Sequence, residues 1–388
     1  MIIKNLKIKN FKSIRNLEID CARVNVFIGE PNTGKSNILE ALGMYSFLYY
    51  GSIYIKDIVE FLSENQLNNS KEKSPSELYH LIIQSQLLLG VKEDVLKSSI
   101  MQFSHHGQMN GFITQYVFKN VLKNFVRFSN FIDIFHLRSP AEISISTNES
   151  ELKISLGIIG LNILYDNLTF YRNSRLSVSF TEIEKTDAVK YKFYRYSPLD
   201  KYPLQHTEFL FPPDGRNLRA LIEHNEELQE FVNDLLSPYG FKIGLLPAED
   251  TIEIIRETKK GVIITYPYTL LSDTIRRVIF YTAAILTAKN SVIVMEEPES
   301  HSFPYHTKIL AESIAMNKDN QYFISTHNPY FLLSLIEKAE DIAVFVTKYE
   351  ENETKVYQAD ISKIYDLASS VFFNLDDLVM ENEGTGGM

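Results

Sequence analysis

The sequence predicts an α/β protein: a mixed sheet core with an antiparallel β lobe, interrupted by a helical insertion. Three observations predict it. The apolar run Val24-Asn25-Val26-Phe27-Ile28, a glycine-bearing loop and the stretch Asn37-Ile38-Leu39-Glu40-Ala41-Leu42 read as strand, loop and helix. Two later runs, Ser291 to Met295 and Gln321 to Ile324, are short and continuously apolar, as strands buried on both faces of a parallel sheet must be. Between these regions, Glu142-Ile143-Ser144-Ile145-Ser146 and Leu176-Ser177-Val178-Ser179-Phe180 alternate with a period of two, the pattern of half-buried antiparallel strands.

Taken in order, residues 1–45 should form a strand pair, the central strand, the loop and its helix. Residues 48–130 change character. A polar patch, Ser63 to Ser76, precedes helical stretches at Glu77 to Leu89, Glu93 to Phe103 and Phe112 to Phe128. The spacing of Val117, Val121, Phe125 and Phe128 suits packed helices, and no heptad pattern persists long enough for a coiled-coil arm. The core is therefore expected in two segments, 1–47 and 131–345, around an insertion at 48–130, with a short C-terminal extension at 346–388. Ala141 to Tyr196 reads as an antiparallel meander, and Pro212-Pro213-Asp214-Gly215 as a turn. A helix is expected over Asn217 to Leu236, stopped by Ser237-Pro238-Tyr239-Gly240. A hairpin follows, Thr251 to Ile255 with Gly261 to Tyr266, turning at Lys259-Lys260; helix Thr274 to Thr287 then leads to an acidic strand. After Asp341 come another hairpin, a helix near Ile361 to Ser370 and a glycine-rich end.

With 388 residues, 45% of them hydrophobic, the chain can bury a substantial core in more than one lobe. A net charge of −10 excludes a surface coated in basic residues for tight, non-specific nucleic-acid binding. It leaves room for a local groove. Lys4, Lys7, Lys9, Lys12 and Arg15 crowd the N-terminus, but alternating lysines read first as the wet face of an edge hairpin. The single Cys21 excludes an intramolecular disulfide framework and fits a reducing compartment. No secretory-signal pattern is found, and apolar stretches such as Val278 to Ala288 fall short of a membrane span. The expected location is cytoplasmic, with no membrane partner.

Chemistry concentrates at three places. Residues 29–36 read Gly-Glu-Pro-Asn-Thr-Gly-Lys-Ser, a G-x-x-x-x-G-K-[ST] loop between strand and helix. In that setting backbone N–H groups form a concave anion site at a helix N-terminus. Gly29 and Gly34 allow close backbone approach, while Glu30, Pro31, Asn32 and Thr33 complete the loop. Lys35 is placed to reach the β- and γ-phosphates and Ser36 to ligand Mg²⁺, with Asn37 following on the helix. This pattern predicts a bound nucleoside triphosphate. Glu296 and Glu297 end the first late strand, where open α/β sheets place their ligands. Glu296 would hold the Mg²⁺ shell and Glu297 would orient and deprotonate the attacking water. Alone, the pair could equally be a solvated acidic turn. The second late strand ends in Ser325-Thr326-His327-Asn328-Pro329, with Asn328 a natural N-cap and Pro329 suited to the first helical position. His327 then shares a rim with Lys35 and Glu297, able to bond a γ-phosphate or the water.

These motifs resemble the ATPase head shared by the SMC, RecF and OLD (overcoming lysogenization defect) proteins, a branch of the ATP-binding-cassette class. Leu6-Lys7-Ile8-Lys9-Asn10-Phe11-Lys12-Ser13-Ile14 resembles that branch's N-terminal strand and turn, which implies that Lys12 and Ser13 touch nucleotide. Glu296-Glu297-Pro298-Glu299 is similar to the OLD-like acidic motif, and Thr326-His327-Asn328-Pro329 to the switch histidine. The signature stretch departs from the pattern. In Leu270-Leu271-Ser272-Asp273-Thr274, threonine stands where glycine is expected; Ser272 is either a contact to nucleotide held by a second subunit or a helix N-cap. The resemblance implies ATP and Mg²⁺ as cofactors and a homodimer or higher homo-oligomer closed around ATP, and the altered signature implies slow hydrolysis. Too little chain follows Asp341 for the TOPRIM nuclease of OLD proteins, so a separate effector, a nuclease or toxin of a prokaryotic anti-phage system, is the expected partner. Two alternatives stay open: a RecF-like ATPase clamping DNA, and an ATP-binding scaffold without hydrolysis.

Overall fold

The computed structural model describes residues 3–51, 141–147, 151–157, 177–180 and 190–379. The helical insertion expected at 48–130 lies outside the described residues apart from a short π-helical turn, Phe47–Gly51, continuing the first helix. The N-terminal hairpin β1 (Asn5–Phe11) and β2 (Ile14–Asp20) joins β4 (Ala141–Ser146), β5 (Glu151–Gly157) and β6 (Ser177–Phe180) in one antiparallel sheet, ordered β2-β1-β4-β5-β6. β2 is an edge, and Lys7 on β1 pairs with Glu18 on β2 at 3.0 Å near the surface. Lys4, Lys7 and Lys9 thus line the wetter face of the hairpin, as the sequence suggested, whereas Lys12 in its turn folds inward onto the buried Glu40.

The second sheet carries the site. Its order is β14-β13-β3-β12-β11-β7, with β13 (Ile342–Glu350), β3 (Val24–Gly29), β12 (Gln321–Ser325), β11 (Val292–Glu296) and β7 (Tyr191–Tyr194) all parallel. Only β14 (Glu353–Gln358) runs antiparallel among its described strands, at one edge. The parallel strands are apolar on both faces because both faces are covered. Phe27, Phe193, Val292, Val294, Phe323 and Phe345 point into a core shared with α1 (Lys35–Ser46) and the antiparallel sheet. Val24, Val26, Ile28, Ile293, Met295, Ile324, Val344 and Val346 point the other way, toward the remaining helices. These are α2 (Leu218–His224), α3 (Glu226–Leu236), α4 (Asp273–Thr287), α5 (Pro304–Met316), α6 (Pro329–Lys338) and α7 (Ile361–Leu367). A small antiparallel sheet of β8 (Lys242–Leu246), β9 (Thr251–Glu257) and β10 (Ile263–Pro267) packs Ile252 and Ile254 into the same core.

The structure corrects two readings of the sequence. The helix expected over Asn217 to Leu236 is two helices, because Asn225 is extended at φ −121° and its side chain caps α3 by accepting from Leu228 N. The meander expected to reach Tyr196 ends earlier. β7 belongs to the central sheet, parallel to β11, and all four of its residues are buried. The central sheet also continues past residue 345, since β13 runs to Glu350 and β14 to Gln358.

Candidate functional site

Parallel register brings the carboxyl ends of five strands to one rim. Thr347 lies opposite Gly29, Ser325 opposite Phe27, Glu296 opposite Ser325, and Met295 opposite Tyr194. The phosphate loop springs from the centre of this rim. Gly29 has φ 152° and Gly34 has φ 99°, and both face other chain segments at close range. A Cβ on Gly29 would run into the Thr347 carbonyl and hydroxyl, and one on Gly34 into the Thr354 side chain. The loop glycines are therefore required by the β13–β14 hairpin behind them as well as by their backbone angles. Thr33 fixes the loop from within, donating to Glu30 O at 2.9 Å and sharing a 2.7 Å hydrogen bond with Thr347 Oγ1.

Lys35 opens α1 and curls back over the loop, donating to Gly29 O at 2.9 Å and Glu30 O at 2.7 Å. Burial lowers its pKa to about 8, against the attraction of Glu297, Glu296 and Glu30. The helix begins after Gly34, which has no capping side chain, and its first turn contains no acidic residue. Its positive end is thus open to an anion. Ser36 is half-buried in that turn, and Asn37 donates from Nδ2 to Ser13 Oγ at 2.6 Å.

Glu297 follows β11 in the left-handed region, at φ 44°, and its N–H donates to Ser325 O at 3.1 Å. That turn aims the carboxylate across the rim. One oxygen lies 3.4 Å from His327 Nε2 and the other accepts from Ser300 Oγ at 2.9 Å. Burial and the Lys35 charge lower the His327 pKa below its ordinary 6.5, so the ring is neutral at pH 7. α6 begins where the sequence suggested, with Asn328 accepting from Tyr330 N at 2.9 Å and Phe331 N at 3.2 Å. Glu299 is buried, with one carboxylate oxygen accepting from the Thr326 hydroxyl. Desolvation raises its pKa to about 7.

The structure brings Lys35, Glu296, Glu297 and His327 to one edge. Lys12 and Ser13 lie beside α1: Lys12 Nζ is bound to the Glu40 carboxylate, and Ser13 Oγ shares a 2.6 Å hydrogen bond with Thr354 Oγ1. Ser272 caps α4, accepting from Ile275 N at 3.4 Å, and is exposed; Thr274 donates from its hydroxyl to His301 O. Four residues were missed by motif reading: Glu40, Arg195, Thr347 and Thr354. Glu40 left a signal, a lone acid amid Ile38, Leu39, Ala41 and Leu42 in a helix that the fold buries.

A Mg²⁺ ion fits the donor set. The Ser36 hydroxyl and the Glu296 carboxylate are hard oxygen donors, and Mg²⁺ is ordinarily held by one or two such groups plus substrate phosphates. Among the described residues no group of three acidic, histidine or cysteine side chains assembles into a protein-only metal cage.

A segment of 42 residues is 48% identical to an ATP/GTP phosphatase of Helicobacter pylori, covering 11% of each chain. Another, of 63 residues, is 38% identical to an uncharacterized protein of Methanocaldococcus jannaschii, covering 16% of this chain and 29% of that one. The chain thus spans less than a third of the length of either curated relative. Among solved structures, the SMC head domain from Thermotoga maritima aligns over 93% of this chain and 100% of its own, at 13% identity and TM-score 0.41. An SMC head bound to the C-winged helix domain of ScpA aligns over 94% and 99%, at 13% identity and TM-score 0.48. No helix among the described residues is long and apolar enough to cross a membrane. The family AAA_15, an AAA ATPase domain, matches residues 1–332, and the chain belongs to it.

Proposed function

We propose that this chain binds ATP on the Gly29–Ser36 loop and hydrolyses it at Glu297. The observation carrying the proposal is the rim on which the phosphate loop, Glu297 and His327 converge, with His327 Nε2 3.4 Å from the Glu297 carboxylate. Loop N–H groups and Lys35 take the phosphates, exchanging the Lys35 bonds to Gly29 O and Glu30 O for phosphate oxygens. Ser36 and Glu296 would hold Mg²⁺, which when bound would neutralise phosphate charge. Glu297 accepts the proton of the attacking water and aligns it. A neutral His327 carrying its proton on Nε2 donates to Glu297 and keeps that carboxylate facing the water. The name of the Helicobacter pylori relative supports nucleotide hydrolysis.

ATP turnover and binding by two variants test this. Lys35→Ala should abolish ATP binding. Glu297→Gln should bind ATP within a few-fold of wild type and lose on the order of 100-fold or more in turnover. An unchanged rate in Glu297→Gln would remove Glu297 from the chemistry, and a wild type that binds ATP without turning it over would move the protein to the non-hydrolysing scaffold reading.

The finer reading is a switch. Two copies close on ATP with Ser272 of each facing the other's nucleotide, and closure governs a separate effector in anti-phage defence. Support comes from the exposure of Ser272, Leu270, Phe303 and Tyr305 on the face that also carries the acidic turn, to which Thr274 is tied through His301. Glu297→Gln purified with ATP and Mg²⁺ should run as a dimer, while a monomer at every ATP concentration would remove the sandwich.

A further inference from the structure

Four charged side chains from four elements meet beside the acidic end of β11. β7 pairs in parallel with β11, with Tyr194 opposite Met295, so Arg195 and Glu296 leave the two strands side by side. Arg195 Nη2 lies 3.2 Å from Glu296 Oε2 and 3.2 Å from Glu40 Oε1. The other Glu40 oxygen is bound to Lys12 Nζ. Signs alternate along the row Lys12, Glu40, Arg195, Glu296, and none of the four side chains is more than 17% exposed.

Burying Glu40 needs one cation, and Lys12 already supplies it. Arg195 is therefore more than a neutralising partner for that helix. Both carboxylates meet one nitrogen, Nη2, of a planar guanidinium whose Cζ sits 5.0 Å from the centre of the Phe193 ring, which restrains it from a third side. The Glu296 contact is an ion pair to a guanidinium that is itself fixed by its hydrogen bond to Glu40 and by the Phe193 ring, so the carboxylate is drawn toward one place. At its far end the row reaches the β1–β2 turn. Ser13 in that turn accepts from Asn37, one turn along α1 from the phosphate loop, and hydrogen-bonds Thr354 behind Gly34.

We propose that Arg195 is a positioning residue, setting the direction of the Glu296 carboxylate and joining it through Glu40 to the Lys12–Ser13 turn. The inference rests on the reading of Glu296 as a residue that holds Mg²⁺. Arg195 touches no reacting atom; it acts through Glu296. A cluster that served stability alone would show its loss in the melting temperature and leave metal affinity untouched.

The full-length wild type, Arg195→Lys, Arg195→Met and Lys12→Met test it. Mn²⁺ is the probe, with its affinity read by electron paramagnetic resonance in the presence of a non-hydrolysable ATP analogue. ATP affinity without divalent cation, turnover and melting temperature are measured alongside. Arg195→Met should weaken Mn²⁺ binding and turnover about tenfold, the usual scale for losing a group that orients a metal ligand. Cation-free ATP affinity should stay within about twofold. Arg195→Lys should fall between the two, and Lys12→Met should move both readings in the same direction by less. Lys12→Met also carries the test should Arg195→Met fail to fold. Unchanged Mn²⁺ affinity in a folded variant overturns the proposal. So does tighter Mn²⁺ binding, which would make Arg195 a competitor of the metal, or an equal loss of cation-free ATP affinity, which would make the effect general damage. A wild type that neither hydrolyses ATP nor binds Mn²⁺ with the analogue sinks the ATPase reading and this inference together, an outcome distinct from a failure at Arg195 alone.

Discussion

Gly34 shows how one residue is fixed twice. Its φ of 99° disfavours any side chain, and Thr354 fills the space a Cβ would need. Gly34→Ala should destabilise the fold by about 2 kcal/mol or more and abolish ATP binding. Adding Thr354→Ala should restore only part of the stability, since the backbone strain remains; full rescue in a denaturant titration would show that the clash was the whole cost. Glu299 is fixed by what it touches. Its pKa rises from 4.5 to about 7 in the fold, so the folded chain keeps a proton that the unfolded chain has lost over that range. Stability should therefore fall as pH rises from about 4.5 to about 7, by on the order of 3 kcal/mol from this group. Unfolding of Glu299→Gln should lack that slope, and matching slopes in the two proteins would refute the assignment.

Strand ends and helix starts do the positioning at the scale of elements. α6 starts just after His327 because Asn328 caps it through two backbone N–H groups. Asn328→Ala should cost about 1 kcal/mol of stability. It should lower turnover too, because fraying the start of α6 loosens the adjacent His327, while the Asn328 backbone N–H that donates to Thr326 Oγ1 at 3.0 Å survives the substitution. Thermal melts read against ATPase rates separate the two effects. β7 matters in the same way. As a parallel strand beside β11 it delivers Arg195 to Glu296, which no antiparallel meander would do.

Across the whole molecule, the central sheet is enclosed by two cores, and the C-terminal segment completes the second. Ala359 N donates to Val344 O at 2.8 Å, and Ile364, Val371 and Leu378 are fully buried against the helix layer. A chain ending at Gln358 would expose the surface those three side chains cover, a loss of roughly 4.5–9 kcal/mol at 1.5–3 kcal/mol each. That is comparable with the whole stability of a typical domain. The truncated protein should lose cooperative unfolding, and a sharp melt near the wild-type temperature would show that the segment is dispensable.

The sequence by itself determined the parts that depend on neighbours along the chain. A G-x-x-x-x-G-K-S loop between strand and helix, apolar strands ending in Glu296-Glu297 and in His327, and the Asn328-Pro329 helix start all express local backbone geometry, so they were legible without a fold. The two helices split at Asn225 were not, because helical periodicity runs through a residue that the fold holds extended to cap α3. Tertiary structure alone decided that β7 lies parallel to β11, that Thr347 and Thr354 back the loop glycines, and that Arg195 stands between Glu40 and Glu296. Those pairs join residues between 101 and 320 positions apart in the chain, by the arithmetic 296 − 195 and 354 − 34. Such contacts follow from which strands lie side by side in the sheet, which patterning within any one segment does not encode.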